Sequence, residues 1–160
     1  MSCPKSLNAS MVEESSQLDE AVAYVAEEGF FASVEPIGQV EWDALCTDHD
    51  TWLESSVRFH GPLGGALRCR LPLALARELV SAFLGMETGE LPPTDPLVQD
   101  LTGELANMVC GRWLTDVAPN SLFRLDHPIV VPIAPADVAS SAPSGLLNGQ
   151  PIWIELSVED

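Results

Sequence analysis

Basic residues are scarce in this chain of 160: seven Lys and Arg face 24 Asp and Glu, a formal net charge of −17. A nucleic-acid phosphate backbone would be repelled, and an anionic membrane surface is disfavoured for the same reason. Long apolar runs are missing too. No stretch of 18 or more apolar residues exists and the N-terminus has no signal-like apolar core, so a cytoplasmic protein is expected. Cys3, Cys46, Cys69 and Cys110 show neither CxxC spacing nor His at ligand spacing, so no metal site is expected. Cys69 and Cys110 fall within a predicted strand and a predicted helix, where Cys behaves as a small buried hydrophobe.

What is present is enough for a core. Hydrophobic residues make up 46%, which argues against disorder, and the length suits one domain. Residues 1–15, with Pro4 and four serines, read as a mobile tail, leaving 16–160 as a single domain. A helix is predicted over about 16–28, capped by Ser15 or Ser16 and ended by Gly29. Ala32 to Val40 looks strand-like, and Glu41 to Asp50 reads as acidic connecting chain.

A hairpin follows over about 51–71. Leu53, Ser55, Val57 and Phe59 alternate with polar residues, as do Leu67, Cys69 and Leu71, and Gly61 to Gly65 makes the turn. Pro72 and Gly85 bracket a helix with Leu73, Ala76, Val80 and Phe83 facing inward. Asp95 is the N-cap of another helix, with Pro96 in its first turn. Strands return at about 121–126, 129–133 and Ile152 to Val158, with Ala134 to Ser144 as a surface loop. This order gives an α+β domain with helices on one face of a mainly antiparallel sheet.

Within the helix after Asp95, Asp100, Glu104, Asn107 and Gly111 fall on one stripe, since residues three and four apart are neighbours. Leu97, Val98, Leu101, Leu105, Met108 and Val109 occupy the opposite arc and are expected in the core. Gly103, Ala106, Cys110 and Gly111 border the stripe and are small, which suggests that a partner can approach the backbone there. A carboxamide such as Asn107 offers a donor and an acceptor with no charge, which suits it to positioning a small polar molecule.

At these residues the sequence resembles the CheC/CheX/FliY-type chemotaxis phosphatases. Their signature is Asp or Ser, three residues, Glu, two residues, then Asn, usually with Gly one turn later. Asp100, Glu104, Asn107 and Gly111 match it position by position. The order of hairpin, helix and motif helix resembles the CheX branch, and the likeness covers roughly residues 16–160. The resemblance implies a phosphatase acting on the aspartyl phosphate of a CheY-type response regulator. It implies Asn107 as the water-positioning residue and Glu104 as the partner of a regulator Lys, with Asp100 and Gly111 at the docking face. The protein would need no cofactor of its own, because the regulator would supply the phosphorylated Asp and Mg²⁺. Arg112 and Trp113 depart from the small polar residues of the family pattern.

Other groups lead elsewhere. The predicted helix over 16–28 has Glu20 followed at the motif spacing by Ala23, and the one over 72–84 has Glu78 followed by Ser81, so one site per chain is expected. Asp48, His49 and Asp50 read as exposed loop residues, and His60 and His127 have no partners at ligand spacing. The Gly61 to Gly65 turn lacks the Lys-Ser/Thr of a phosphate loop. Arg58, Arg68 and Arg70 share one hairpin face and are expected to pair with Glu on a neighbouring strand. Two further functions compete: a module of the same fold that docks a receiver or flagellar-switch component without hydrolysis, and a structural or oligomerising domain. A homodimer is expected through the edge of Ile152 to Val158, with Trp153 contributing apolar area.

Overall fold

Alternation in the central hairpin sets the sheet. The computed structural model describes residues 9–30, 32–47, 49–87, 89–139 and 144–159. In it β2 (Trp52–His60) and β3 (Gly64–Pro72) run antiparallel from the Trp52 and Pro72 pair to the Phe59 and Gly65 pair. Beside β3 lies β7 (Gln150–Glu159), then β6 (Gly145–Leu147), then β1 (Val34–Glu35). Along the other side of β2 lie β4 (Arg124–Leu125) and β5 (Ile129–Ile133), one after the other. All these described pairings are antiparallel.

Because side chains alternate along each strand, the two faces differ in chemistry. Leu53, Val57, Phe59, Leu67, Cys69, Leu71, Ile152 and Ile154 are buried beneath α1 (Ala9–Phe30), α3 (Leu73–Leu84) and α4 (Pro96–Val117). The opposite face carries the three arginines, each matched to a carboxylate as expected. Arg58 pairs with Glu159 at 3.0 Å, Arg70 with Glu54 at 2.6 Å, and Arg68 with Glu155. One end of that face has its own small core: Trp52 and Trp153 pack with Trp42 and Cys46 of α2 (Gln39–Thr47) and with Val138 of α5 (Pro135–Ala139). The expected α+β architecture holds, with the three long helices on one face and two short ones added at an end of the other.

Several local expectations change. Residues 39–47 form a helix rather than connecting chain, because Trp42 and Cys46, four apart, reach the second core. A strand covers only Val34–Glu35 of the predicted 32–40, and α5 lies within the predicted surface loop. The first helix begins at Ala9, so Ser15 and Ser16 lie inside it; residues 1–8, Cys3 among them, are outside the described residues. Gly29 also lies inside that helix, where a Cβ would stand 2.9 Å from Met108 Cε, so its smallness serves helix packing. Phe83 is 56% exposed and Leu97 39%, so neither belongs to the core. Trp153 is only 5% exposed, with the Arg70 guanidinium over its ring at 4.3 Å, and it has no area to offer a second chain.

Cys46, Cys69 and Cys110 are buried and free. Burial pushes the Cys69 and Cys110 thiols up to about 12.

Candidate functional site

The Asp95 carboxylate accepts from the Leu97 N–H at 2.9 Å, and Pro96 occupies the first turn, so α4 starts where its sequence directs. Val98, Leu101, Leu105, Ala106, Val109, Trp113 and Leu114 are buried, which turns the stripe of Asp100, Glu104, Asn107 and Gly111 outward. Asp100 and Glu104 are exposed; Asn107 and Gly111 are half-buried. Among the described residues, no hydrogen bond or ion pair engages the side chains of Asp100, Glu104 or Asn107.

The stripe has two flanks. On one lies a cleft of about 320 Å³ between α4 and the β4–β5 connection, lined by Gln99, Asp100, Gly103, Glu104, Asn107, His127, Pro128 and Val130. On the other lies an apolar groove formed by Val80, Phe83, Leu84, Leu97 and Leu101. Asp100 and Glu104 line both, so the two carboxylates stand on a ridge between them.

The small residues beside the stripe do not all serve a partner. Ala106 and Cys110 are fully buried. Gly103 is buried under Pro128, where a Cβ would stand 3.0 Å from the proline Cβ. Only at Gly111 is the space open, with no atom within 4 Å of the Cβ position. Trp113 points into the core beside Phe59, and Arg112 pairs with Asp116 while lying over the Tyr24 ring at 3.9 Å. Neither reaches the stripe from the end of the helix.

His127 lines the cleft although no ligand-type spacing in the sequence ties it to the stripe. His60, also without partners at ligand spacing in the sequence, lies with Nε2 2.9 Å from Asp126 Oδ2. This hydrogen bond, helped by the Arg124 and Arg58 charges, holds the Asp126 carboxyl below the usual carboxylate range. His49 packs edge-on against Trp52, and Asp48 lies outside the described residues. Among the described residues no group of three His, Cys, Asp or Glu is placed to hold a metal ion. No described helix is long and apolar enough to cross a membrane.

An antiparallel sheet is thus backed by a helix that displays Asp, Glu and Asn from a face the core does not use. The family model described as "Chemotaxis phosphatase CheX" matches residues 54–148, more than half of the chain and the whole motif stripe. This chain therefore belongs to the CheX family. Solved structures agree on the fold. CheX from Vibrio vulnificus superposes with a TM-score of 0.66 at 17% identity, covering 92% of this chain and 97% of that one. A CheC-like superfamily protein from Shewanella sp. PV-4 gives 0.67 at 19%, covering 96% and 100%. A CheX–CheY–BeF3–Mg²⁺ complex from Borrelia burgdorferi gives 0.52 at 12%, covering 93% and 97%. No curated protein matches the sequence.

Proposed function

We propose that the protein hydrolyses the aspartyl phosphate of a CheY-type response-regulator receiver domain. The observation that carries this reading is the stripe itself: Glu104 and Asn107 stand one turn apart on a face of α4 that the core does not use, and among the described residues neither side chain has a polar partner. Membership of a family of chemotaxis phosphatases, and a related CheX solved with CheY, support it.

An acyl phosphate is already activated, so hydrolysis asks mainly for positioning and electrostatics. Asn107 holds a water in line with the scissile bond, its carbonyl accepting from the water while its NH₂ contacts a phosphoryl oxygen. The water oxygen bonds to phosphorus. The P–O bond to the receiver's aspartate breaks, its electron pair leaving with the carboxylate, and the water's protons pass to phosphate and solvent. Glu104 pairs with a Lys of the receiver and fixes the register of the two proteins. Asp100 and Gly111 lie at the contact. The phosphorylated Asp and its Mg²⁺ belong to the partner.

Phosphate release from an acetyl-phosphate-charged CheY-type receiver tests the assignment. Asn107→Ala should abolish the release above spontaneous decay while binding of the receiver persists. Undiminished release by the variant would remove Asn107 from the chemistry. Binding without release by the wild type would favour the alternative, a non-catalytic docking module of the same fold.

A further inference from the structure

Strand β2 pairs Phe59 with Leu125 on β4 and Ser56 with Ile129 on β5. Between these pairs, two residues of β2, Val57 and Arg58, face three of the other strand, Asp126, His127 and Pro128. The edge bulges by one residue. The inward set shifts with it, from Leu125 before the bulge to Val130 after it, both packed on the main core. Bulges concentrate beside functional sites because they re-aim a side chain.

This bulge is fixed at both ends. The Asp126 N–H donates to the Arg58 carbonyl at 2.9 Å, and its carboxylate meets His60 Nε2 at 2.9 Å. Pro128 is packed on Gly103 of α4. The residue between them, His127, lines the cleft opposite Asp100, Glu104 and Asn107.

We propose that His127 is a second contact to the transferred phosphoryl group, donating an imidazole N–H to a phosphoryl oxygen while Asn107 holds the water. This rests on the phosphatase reading above. The chemistry of the cleft favours it. An acyl phosphate is anionic, and ionised Asp100 and Glu104 can only accept hydrogen bonds. Side-chain donors lining the cleft are Gln99, Asn107 and His127. The Gln99 amide is turned to the Pro93 carbonyl at 3.3 Å. Among the described residues no hydrogen bond or ion pair engages His127. A donor carried on a segment anchored at both ends meets developing charge without having to be ordered first.

The test uses the full chain with an acetyl-phosphate-charged CheY-type receiver, comparing wild type, His127→Ala, His127→Gln and Asn107→Ala. Removal of one such donor is expected to lower kcat roughly a hundred- to a thousandfold in His127→Ala, with KM within about twofold. His127→Gln, which keeps a donor, should recover most of the rate. Wild-type kcat and KM in His127→Ala would overturn the proposal. So would an equal loss in both His127 variants accompanied by weaker binding of the unphosphorylated receiver, which marks a merely structural residue. If the wild type binds the receiver but releases no phosphate above spontaneous decay, the phosphatase reading fails by itself. Binding of a receiver loaded with beryllofluoride and Mg²⁺ then decides for His127: a loss of affinity confined to the loaded form in His127→Ala retains the contact, and no loss removes it.

Discussion

Gly103 and Pro128 are in van der Waals contact across the cleft floor, so close that a Cβ on Gly103 would lie 3.0 Å from Pro128 Cβ and 3.5 Å from Val130 Cγ2. A glycine inside a helix costs about 0.5–1 kcal/mol relative to alanine, and here that cost lets the β4–β5 connection close on the motif helix. Gly103→Ala should therefore have opposed effects on stability, with a helix-propensity gain of about 1 kcal/mol against an overpacking cost of about 1–3 kcal/mol. The thermal midpoint should move by only a few degrees, since about 1 kcal/mol shifts a domain of this size by about 2–4 °C. Phosphate release should fall further than that, because Pro128 and the adjacent His127 must yield. Wild-type release would show that this contact does not shape the site.

Glu104→Lys reverses one partner of the proposed intermolecular ion pair. The variant should bind a beryllofluoride-loaded receiver roughly tenfold more weakly at low salt, with a smaller change in turnover of the bound complex. Exposure of Glu104 makes the effect screenable: raising ionic strength from 0.1 to 1 M shortens the screening length from about 10 Å to about 3 Å. The gap between variant and wild type should narrow accordingly. Equal affinities at low salt would place Glu104 outside the interface.

Cys69 and Cys110 give a prediction at alkaline pH. Their thiols ionise near 9.0 when unfolded but are held up to about 12 in the fold. Between these values the native state keeps protons that the unfolded chain has released, so stability is intact below pH 9 and falls as pH rises through 12. The loss approaches about 1.4 kcal/mol per pH unit for each fully buried thiol. Denaturant unfolding between pH 8 and 11 should show that slope, flattened in Cys110→Ala. An unchanged slope in the variant would show that the Cys110 thiol is not protected.

How much of this was legible depended on the range of the forces involved. The Asp100–Gly111 stripe was readable because helix geometry is local: an N-cap at Asp95, a proline behind it and a 3.6-residue period suffice. The central hairpin was readable from its period of two. Helix α2 was missed because what Trp42 and Cys46 pack against includes Val138 and Trp153, which lie distant in sequence. Phe83 fits the inward period of α3 but lies at its C-terminal end, 6.0 Å ring to ring from Phe30 and beside the groove with Leu97. The Asp126–Pro128 bulge left one trace: inward residues are odd-numbered up to Leu125 and even-numbered from Val130. His127, which that shift places in the cleft, could have been suspected from it.

The outer edge of β7 is half covered. Strand β6 pairs with residues 150–152, and the Ser144 hydroxyl then accepts from the Ile154 N–H at 2.9 Å and meets its carbonyl at 3.3 Å. From Leu156 to Glu159 no described strand follows on that side, which leaves backbone groups open to pairing. A second copy of the same edge, related by a two-fold axis, would complete both, giving a homodimer with each motif helix turned away from the joint. Net charge opposes this at −17 per chain. Locally the opposition is reduced, because Glu155 and Glu159 are already paired with Arg68 and Arg58. Trp153 is buried within its own chain, so the apolar contribution falls to Leu156 and the exposed Val158. Light scattering at moderate salt should give twice the chain mass, and Val158→Pro, which removes an edge donor, should return it to 17.2 kDa. A wild-type mass of 17.2 kDa at every concentration would rule the dimer out.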